Sequence, residues 1–184
     1  MGLLISNGMN EYVTEGIVLR VRNERETDRS VDVFTRRLGR LNIKVTGGRR
    51  PLSKLSPHLD VLNLVRLRLV EKNQFTVVDA LAAGHFPRLG EPPVMAKALA
   101  TVALLRTLLP KGEPDLEMWH YLVQGLGAGS WRMADVLRIL GYASEEAACA
   151  NCGRRPVAAF HLKSHEFFCD HCGSRAPKNE MVYL

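Results

Sequence analysis

The chain of 184 residues has no run of about 18 apolar residues, so none of it reads as a membrane span. Its start, Met1-Gly2-Leu3-Leu4-Ile5-Ser6, lacks the basic residues and the apolar length of a secretory signal. Gly2 and Ser6 do match the short myristoylation pattern, and Met9 offers a second start. The expectation is a cytoplasmic protein with no membrane partner. Four cysteines are too few for a secreted disulfide scaffold. Nucleotide-binding and hydrolytic signatures are also missing. Gly47-Gly48-Arg49-Arg50-Pro51-Leu52-Ser53-Lys54 has the glycines and the lysine of a P-loop, but not in its order. No G-x-S-x-G or H-E-x-x-H occurs, and Asp and Glu are scattered. There is no repeat and no low-complexity segment. The residues give no active site, so the protein reads as a non-enzyme.

What is present begins with charge. Lys and Arg number 25 against 19 Asp and Glu, a net charge of +6. The excess is concentrated: Tyr12 to Lys72 carries 14 basic and 7 acidic residues, whereas Asn73 to Ala148 carries 6 and 8. A basic module points to a polyanion, most often a nucleic acid; the alternative is a solvated basic surface.

That basic third has the period of strands. Val13, Ile17, Leu19 and Val21 share one parity, opposed by Thr14, Gly16, Arg20 and Arg22. Val31 and Val33 alternate with Ser30 and Asp32, and Arg37-Leu38-Gly39 forms a hairpin turn. Leu41, Ile43 and Val45 then alternate with Asn42 and Lys44. A longer fourth strand runs through Leu59, Val61, Val65, Leu67 and Leu69 with Arg66 and Arg68 outward, and a fifth covers Phe75 to Ala80. Five short strands without a crossover helix predict a small antiparallel barrel of the OB-fold size over residues 12–84, after a flexible extension at 1–11.

From Pro92 the period becomes helical. Met95, Ala98, Leu99, Val102, Leu105 and Leu109 make one stripe, ended at Pro110. Leu116, Trp119, Leu122, Val123 and Leu126 make a second, closed by Gly127 and Gly129. A third runs from Ser130 as N-cap through Trp131, Ala134, Leu137 and Leu140 to Gly141. Trp119 and Trp131 read as core rather than as a binding platform. A helical domain is expected at 85–148, and a metal module with the tail at 149–184.

Cys149-Ala150-Asn151-Cys152 and Cys169-Asp170-His171-Cys172 form C-x2-C-x16-C-x2-C, the spacing of a structural zinc site. Val157, Phe160 and Leu162, a turn at Lys163-Ser164-His165, then Phe167 and Phe168 make a hairpin between the pairs: a zinc ribbon. A redox dithiol pair or two disulfides are the competing readings, and neither explains the paired spacing. His161, His165 and His171 are spare ligands, but four thiolates close the shell and leave no position for a catalytic water. One structural Zn2+ per chain is expected. The fold class is α+β: a five-stranded OB-type barrel, then helices carrying a four-cysteine ribbon.

Glu15-Gly16-Ile17-Val18-Leu19-Arg20, Glu26-Thr27-Asp28-Arg29, Phe34-Thr35 through Leu38-Gly39-Arg40-Leu41, and Lys44-Val45-Thr46-Gly47-Gly48-Arg49-Arg50 with Ser53-Lys54 resemble the opening of the bacterial recombination mediators of the RecO family. The strand with Arg66 and Arg68 does so too, and helices then precede a four-cysteine module that some members have. The resemblance implies a DNA-repair and recombination protein that binds single- and double-stranded DNA and anneals complementary strands. It further implies work with RecR, binding of the acidic, Phe-ended tail of the single-strand-binding protein, and loading of RecA onto coated DNA, without ATP. It also places the protein at the nucleoid. Twelve residues follow Cys172, where family members continue into further helices.

On an OB barrel, basic side chains follow the backbone and aromatics stack bases. Arg36, Arg37 and Arg40 at the hairpin, Lys44 on the next strand, and Arg49, Arg50 and Lys54 in the loop are expected to form one phosphate-binding rim. With only Tyr12, Phe34 and Phe75 nearby, charge should dominate over stacking. Arg106, Arg132 and Arg138 are the candidate rim for the acidic tail, or ordinary exposed helix charges. A zinc-ribbon factor for RNA or ribosomes, and a purely protein-binding adaptor, would share most of these features.

Overall fold

The computed structural model describes residues 10–24, 27–50 and 53–184. Gly2, Ser6, Met9, Glu26 of the family motif, and Pro51-Leu52 lie outside the described residues. The chain divides into two compact units, residues 1–87 with 109–119, and residues 88–108 with 120–184. This differs from the division read in the sequence. Residues 109–119 join the first unit, the other helical residues and the cysteine module share the second, and Asn10 and Glu11 open a strand rather than extend a tail.

Five strands form the first unit: β1 (Asn10–Glu24), β2 (Asp28–Thr35), β3 (Gly39–Val45), β4 (Leu64–Glu71) and β5 (Phe75–Gly84). They close in the order β1-β2-β3-β5-β4, with β4 returning to β1. The expectation of a wholly antiparallel barrel is corrected at one seam, where β3 and β5 pair in parallel through Ile43↔Phe75 and Lys44↔Thr76. The reason is parity. An odd number of strands around a closed ring cannot alternate direction at every seam, so one must be parallel.

The interior is filled mainly by Val, Ile and Leu, among them Val18, Val31, Val33, Leu41, Ile43, Val45, Val65, Leu67 and Leu69. β-Branched side chains suit such pleated, buried surfaces. In β3 the inward and outward residues are those the alternation gives. In β1 they are not: Val13 is 51% exposed and Val18 lies in the core. A register shift between Val18 and Arg20 turns Val21 back inward. The fourth strand begins at Leu64, not Leu59, because Ser56–His58 forms a 3-10 turn with Pro57 and Leu62 takes φ 70°. Leu59 and Leu62 are still buried.

Phe34 points outward from β2 yet is fully buried, meeting Trp119 edge to face at 5.8 Å within the same unit. Gly39 closes the β2–β3 turn at φ +66°, with the Glu113 backbone too close for any Cβ.

The second unit holds α1 (Pro92–Leu108), most of α2 (Leu116–Ala128) and α3 (Met133–Ile139). Ser130 is not the N-cap; α3 opens at Met133 after an extended Arg132 that makes no side-chain cap. It ends as expected at Gly141, φ +91°, where Tyr142 N–H donates to Leu137 O at 2.8 Å. Trp131 is core, its Nε1 donating to Thr101 Oγ1 at 2.9 Å. Strands β6 (Ala159–His161) and β7 (Glu166–Phe168) make the expected hairpin, followed by the short helix α4 (Asp170–Gly173). A third strand, β8 (Met181–Tyr183), pairs with β6 and was absent from the sequence reading.

Candidate nucleic-acid interface and metal centre

On the outer face of the β2–β3 hairpin the register sets Ser30 beside Lys44 and Asp32 beside Asn42. Asn42 Nδ2 donates to Asp32 Oδ1 at 2.7 Å and to Ser30 Oγ at 2.8 Å. Arg22 pairs with Asp32 at 3.6 Å, and Lys44 with Asp28 at 3.3 Å. Asp28 also accepts from Gly47 N–H at 2.9 Å, tying the loop after β3 to the start of β2. That amide, with Lys44, holds the Asp28 carboxyl below its ordinary range. Around these groups lies a polar cavity of about 260 Å³, which Arg29 and Gln74 also line.

Four of the seven predicted phosphate ligands gather at this end of the barrel. Lys44 faces the cavity, and Arg49, Arg50 and Lys54 are exposed in the following loop. Gly47 at φ +65° makes the turn, and Arg49 N–H donates to Thr27 O at 2.9 Å. Arg29 reaches across to Ser56 Oγ at 3.3 Å, while its buried Nε has no hydrogen-bond partner among the described residues.

The other three do not join them. Arg36, Arg37 and Arg40 sit at the opposite end of the hairpin, about 20 Å away at ~3.3 Å per residue from Arg29 to Thr35. The single rim expected from sequence is therefore corrected to two groups. Arg40 is engaged internally, its Nε donating to Leu109 O at 2.9 Å. Arg36 pairs with Glu15 at 3.9 Å, and Arg37 Nη1 donates to Val13 O at 3.5 Å. Both line a second cavity of about 180 Å³ with Arg66. Arg66, which the alternation of the fourth strand turns outward, is not among the seven residues expected in the rim. Only the β1–β4 register, which sets it against Glu15, brings it there.

In the second unit all four cysteine sulfurs lie within 4.8 Å of one another. Cys152 Sγ is 3.7 Å from both Cys169 Sγ and Cys172 Sγ. A tetrahedron with metal–sulfur arms of ~2.3 Å has edges of about 3.8 Å, so the spacing fits one metal ion. It is far beyond the ~2.05 Å of a disulfide. The two C-x2-C turns are built alike: Gly153 N–H donates to Cys149 O and Gly173 N–H to Cys169 O, each at 2.8 Å. Asn151 Nδ2 donates to Cys172 Sγ at 3.3 Å. Backbone N–H groups, that of Cys169 foremost, draw the Cys149 thiol down to about 6, toward the thiolate a metal needs. The histidines stay outside the cluster. His161 bridges Ser164 and Glu180, and His165 contacts Tyr142.

A larger cavity of about 810 Å³ in the same unit is lined by Lys97, Arg132 and Arg155, by Glu145, and by apolar residues that include Met133, Val157 and Met181. Of the three arginines proposed as a rim, only Arg132 lines it. Arg138 pairs with Asp135 at 3.7 Å. Lys97 and Arg155 are isolated charges in unrelated segments, and no local pattern in the sequence joins them. Among the described residues no helix is long and apolar enough to cross a membrane.

The family model "Recombination protein O N terminal" matches residues 9–82, the barrel with its basic residues. The chain is 29% identical to the DNA repair protein RecO of Desulforudis audaxviator, over 92% of this chain and 73% of that one. To RecO of a Nocardioides species it is 29% identical, covering 94% and 80%. To RecO of Cereibacter sphaeroides it is 31% identical, covering 83% and 68%. Likeness on this scale extends past the barrel into the helices and the cysteine pairs, and the chain belongs to the RecO family of DNA repair and recombination proteins.

Proposed function

We propose that this protein is a DNA-binding recombination mediator of the bacterial nucleoid and cytoplasm, without catalytic activity of its own. The observation that carries it is the basic end of the barrel, where Lys44 and Arg29 line a polar cavity and Arg49, Arg50 and Lys54 are exposed in the loop after β3. The strand order, with its one parallel seam, supports an OB-type barrel, whose β2–β3 face and adjoining loops take oligonucleotides. Arg36, Arg37 and Arg40 complete the proposed DNA-contacting set from the other end. No aromatic side chain lines the polar cavity, so binding is by charge and independent of sequence, on single or double strands. Such binding neutralises two strands and leaves their bases free to pair. Strand annealing follows from it.

Cys149, Cys152, Cys169 and Cys172 would hold one Zn2+, the ion that best suits four thiolates at this spacing. When bound it crosslinks the two C-x2-C turns, and with no open position it serves structure alone. The 810 Å³ cavity, lined by three basic side chains, one carboxylate and several apolar residues, suits the acidic, Phe-ended tail of the single-strand-binding protein. With RecR, such docking would bring the mediator to coated DNA for RecA loading.

The test is annealing of complementary oligonucleotides, bare and coated with single-strand-binding protein, with RNA as competitor. Faster annealing at low salt, DNA preferred, is the expected result. A preference for structured RNA would favour an RNA- or ribosome-binding factor instead. Equal affinity for tail peptides with and without the terminal Phe would remove the cavity from the account.

A further inference from the structure

We propose that the cavity formed by Arg36, Arg37 and Arg66 is a second phosphate site, which takes a second nucleic-acid strand while the Lys44–Lys54 end holds the first. This rests on the DNA-binding reading above and adds to it where the two strands lie. Two basic groups on one barrel would be one site if a continuous basic track joined them. None does. The outer face of the hairpin between them carries Asp32, compensated by Arg22 and by the Asn42 amide, with Ser30 alongside. A phosphate chain crossing that band would meet Arg20, set against the Asp32 carboxylate by the β1–β2 register, and beyond it Phe34 and Trp119, both buried and uncharged.

The second cavity is built differently. Three guanidinium groups line the cavity with one carboxylate, Glu15, whose only ion pair among the described residues is with Arg36 at 3.9 Å between partly exposed side chains. Such a pair is weak. Arg37 spends one nitrogen on a carbonyl at 3.5 Å. Arg66 is exposed and makes no hydrogen bond or ion pair among the described residues. It is held there by β4, whose buried neighbours Val65 and Leu67 fix its outward direction. A concave site with an excess of guanidinium forks and one loosely held carboxylate is suited to a phosphodiester, which two arginines can bind in bidentate fashion. With about 20 Å between the two ends, one barrel would hold two strands side by side with their bases uncovered.

The experiment counts short, non-complementary oligothymidylates bound per full-length chain, using donor- and acceptor-labelled strands so that energy transfer reports two on one protein. The wild-type chain should take two. Arg66→Glu should weaken the second strand by about tenfold at low salt while leaving the first within about twofold. Glu15→Gln removes the competing carboxylate and should tighten the second strand by about twofold, a gain that misfolding cannot mimic. Orthophosphate at matched ionic strength should leave the second strand bound; its displacement would mean a site for a lone anion, and polyglutamate displacing it better than DNA would mean a site for acidic protein. The proposal is overturned by either of those displacements, by one strand per wild-type chain, or by an Arg66→Glu variant that keeps both strands. It is equally overturned if Arg66→Glu weakens the first strand as much as Arg49→Ala with Arg50→Ala does, since the surface would then be continuous. A wild-type chain that binds no DNA would remove the broader reading, which none of the other outcomes does.

Discussion

The barrel and the cysteine module solve the problem of staying folded in different ways. Barrel strands run from 7 to 15 residues and enclose a core in which Val18, Val31, Val33, Ile43, Val65, Leu67 and Leu69 are wholly out of water. In the module, β6, β7 and β8 have three residues each, at the bottom of the range for strands. Its buried residues are few, with Phe160 and Val182 the main ones beside the cysteines. Segments below about 40 residues generally need a metal or disulfides to hold a fold. One region has a large apolar core, while the other has few buried residues and four cysteines at metal-binding spacing, which predicts that each can be perturbed without the other.

The largest effect should come from the metal. Chelation, or Cys149→Ser or Cys169→Ser, should abolish order across residues 149–184, because thiolate coordination couples to folding with ~10–16 kcal/mol of apparent free energy in zinc-finger peptides. Elemental analysis should find about one zinc per chain in the untreated protein. Hydrogen exchange should become fast at Phe160 and Val182 while Val33 and Leu67 stay protected. A module that keeps its protection without metal would erase the distinction.

The converse perturbation is smaller. Leu67→Ala leaves a void in the barrel beside Gly16, whose own position already leaves no room for a Cβ near Val33. The cost should be ~2–5 kcal/mol, as for other buried Leu→Ala changes. Denaturant titration followed by a barrel probe measures it. Zinc content should not change, and loss of metal in this variant would mean that the two regions depend on each other.

The two regions also differ in how openly the sequence declares them. The cysteine spacing is a local signal, and the sulfurs converge as it implies. The alternation in β3 is equally local and fixes which residues fill the barrel there. Long-range pairing is less legible. The bulge in β1 reverses the inward set between Val18 and Val21, and no run of residues announces it. Arg66 meets Arg36 and Arg37 only through the β1–β4 register, and β8 is three residues whose pairing with β6 decides that it is a strand at all. The seven basic residues were close in sequence, yet a hairpin separates what its turn and its feet carry.

Within the barrel the next test bears on charge. Replacing Arg49 and Arg50 together by Ala should weaken single-strand binding alike for unrelated sequences. It should also flatten the slope of log K against log salt by up to about 1.4, at ~0.7 per phosphate contact. Stability should stay within ~0.5 kcal/mol, since both side chains are exposed. Annealing should fall in parallel. An unchanged salt slope would assign the basic loop to solvent.

The smallest effect is the most local, and it concerns Asp28. Its carboxyl is held below the ordinary ~3.9 of aspartate, first by the Gly47 amide and then by Lys44. A depressed carboxylate contributes its stabilisation above the unfolded-state value and loses it as pH falls through the lower, folded one. Loop anchoring at Gly47 should therefore be constant from pH 7 to about 4 and weaken only below that, read as faster exchange of the Gly47 amide relative to Val33. Asp28→Asn removes the charge at every pH, so the variant's Gly47 exchange, corrected for intrinsic rate, should lose this pH dependence. The same substitution frees Lys44, paired at 3.3 Å in the parent, for a phosphate. DNA affinity at low salt should then rise, by about fivefold at most, the value of one charge pair at ~4 Å in water. A fall in affinity would mean instead that Asp28 serves the interface by holding the Arg49–Arg50 loop in place, and that order outweighs charge at this end of the barrel.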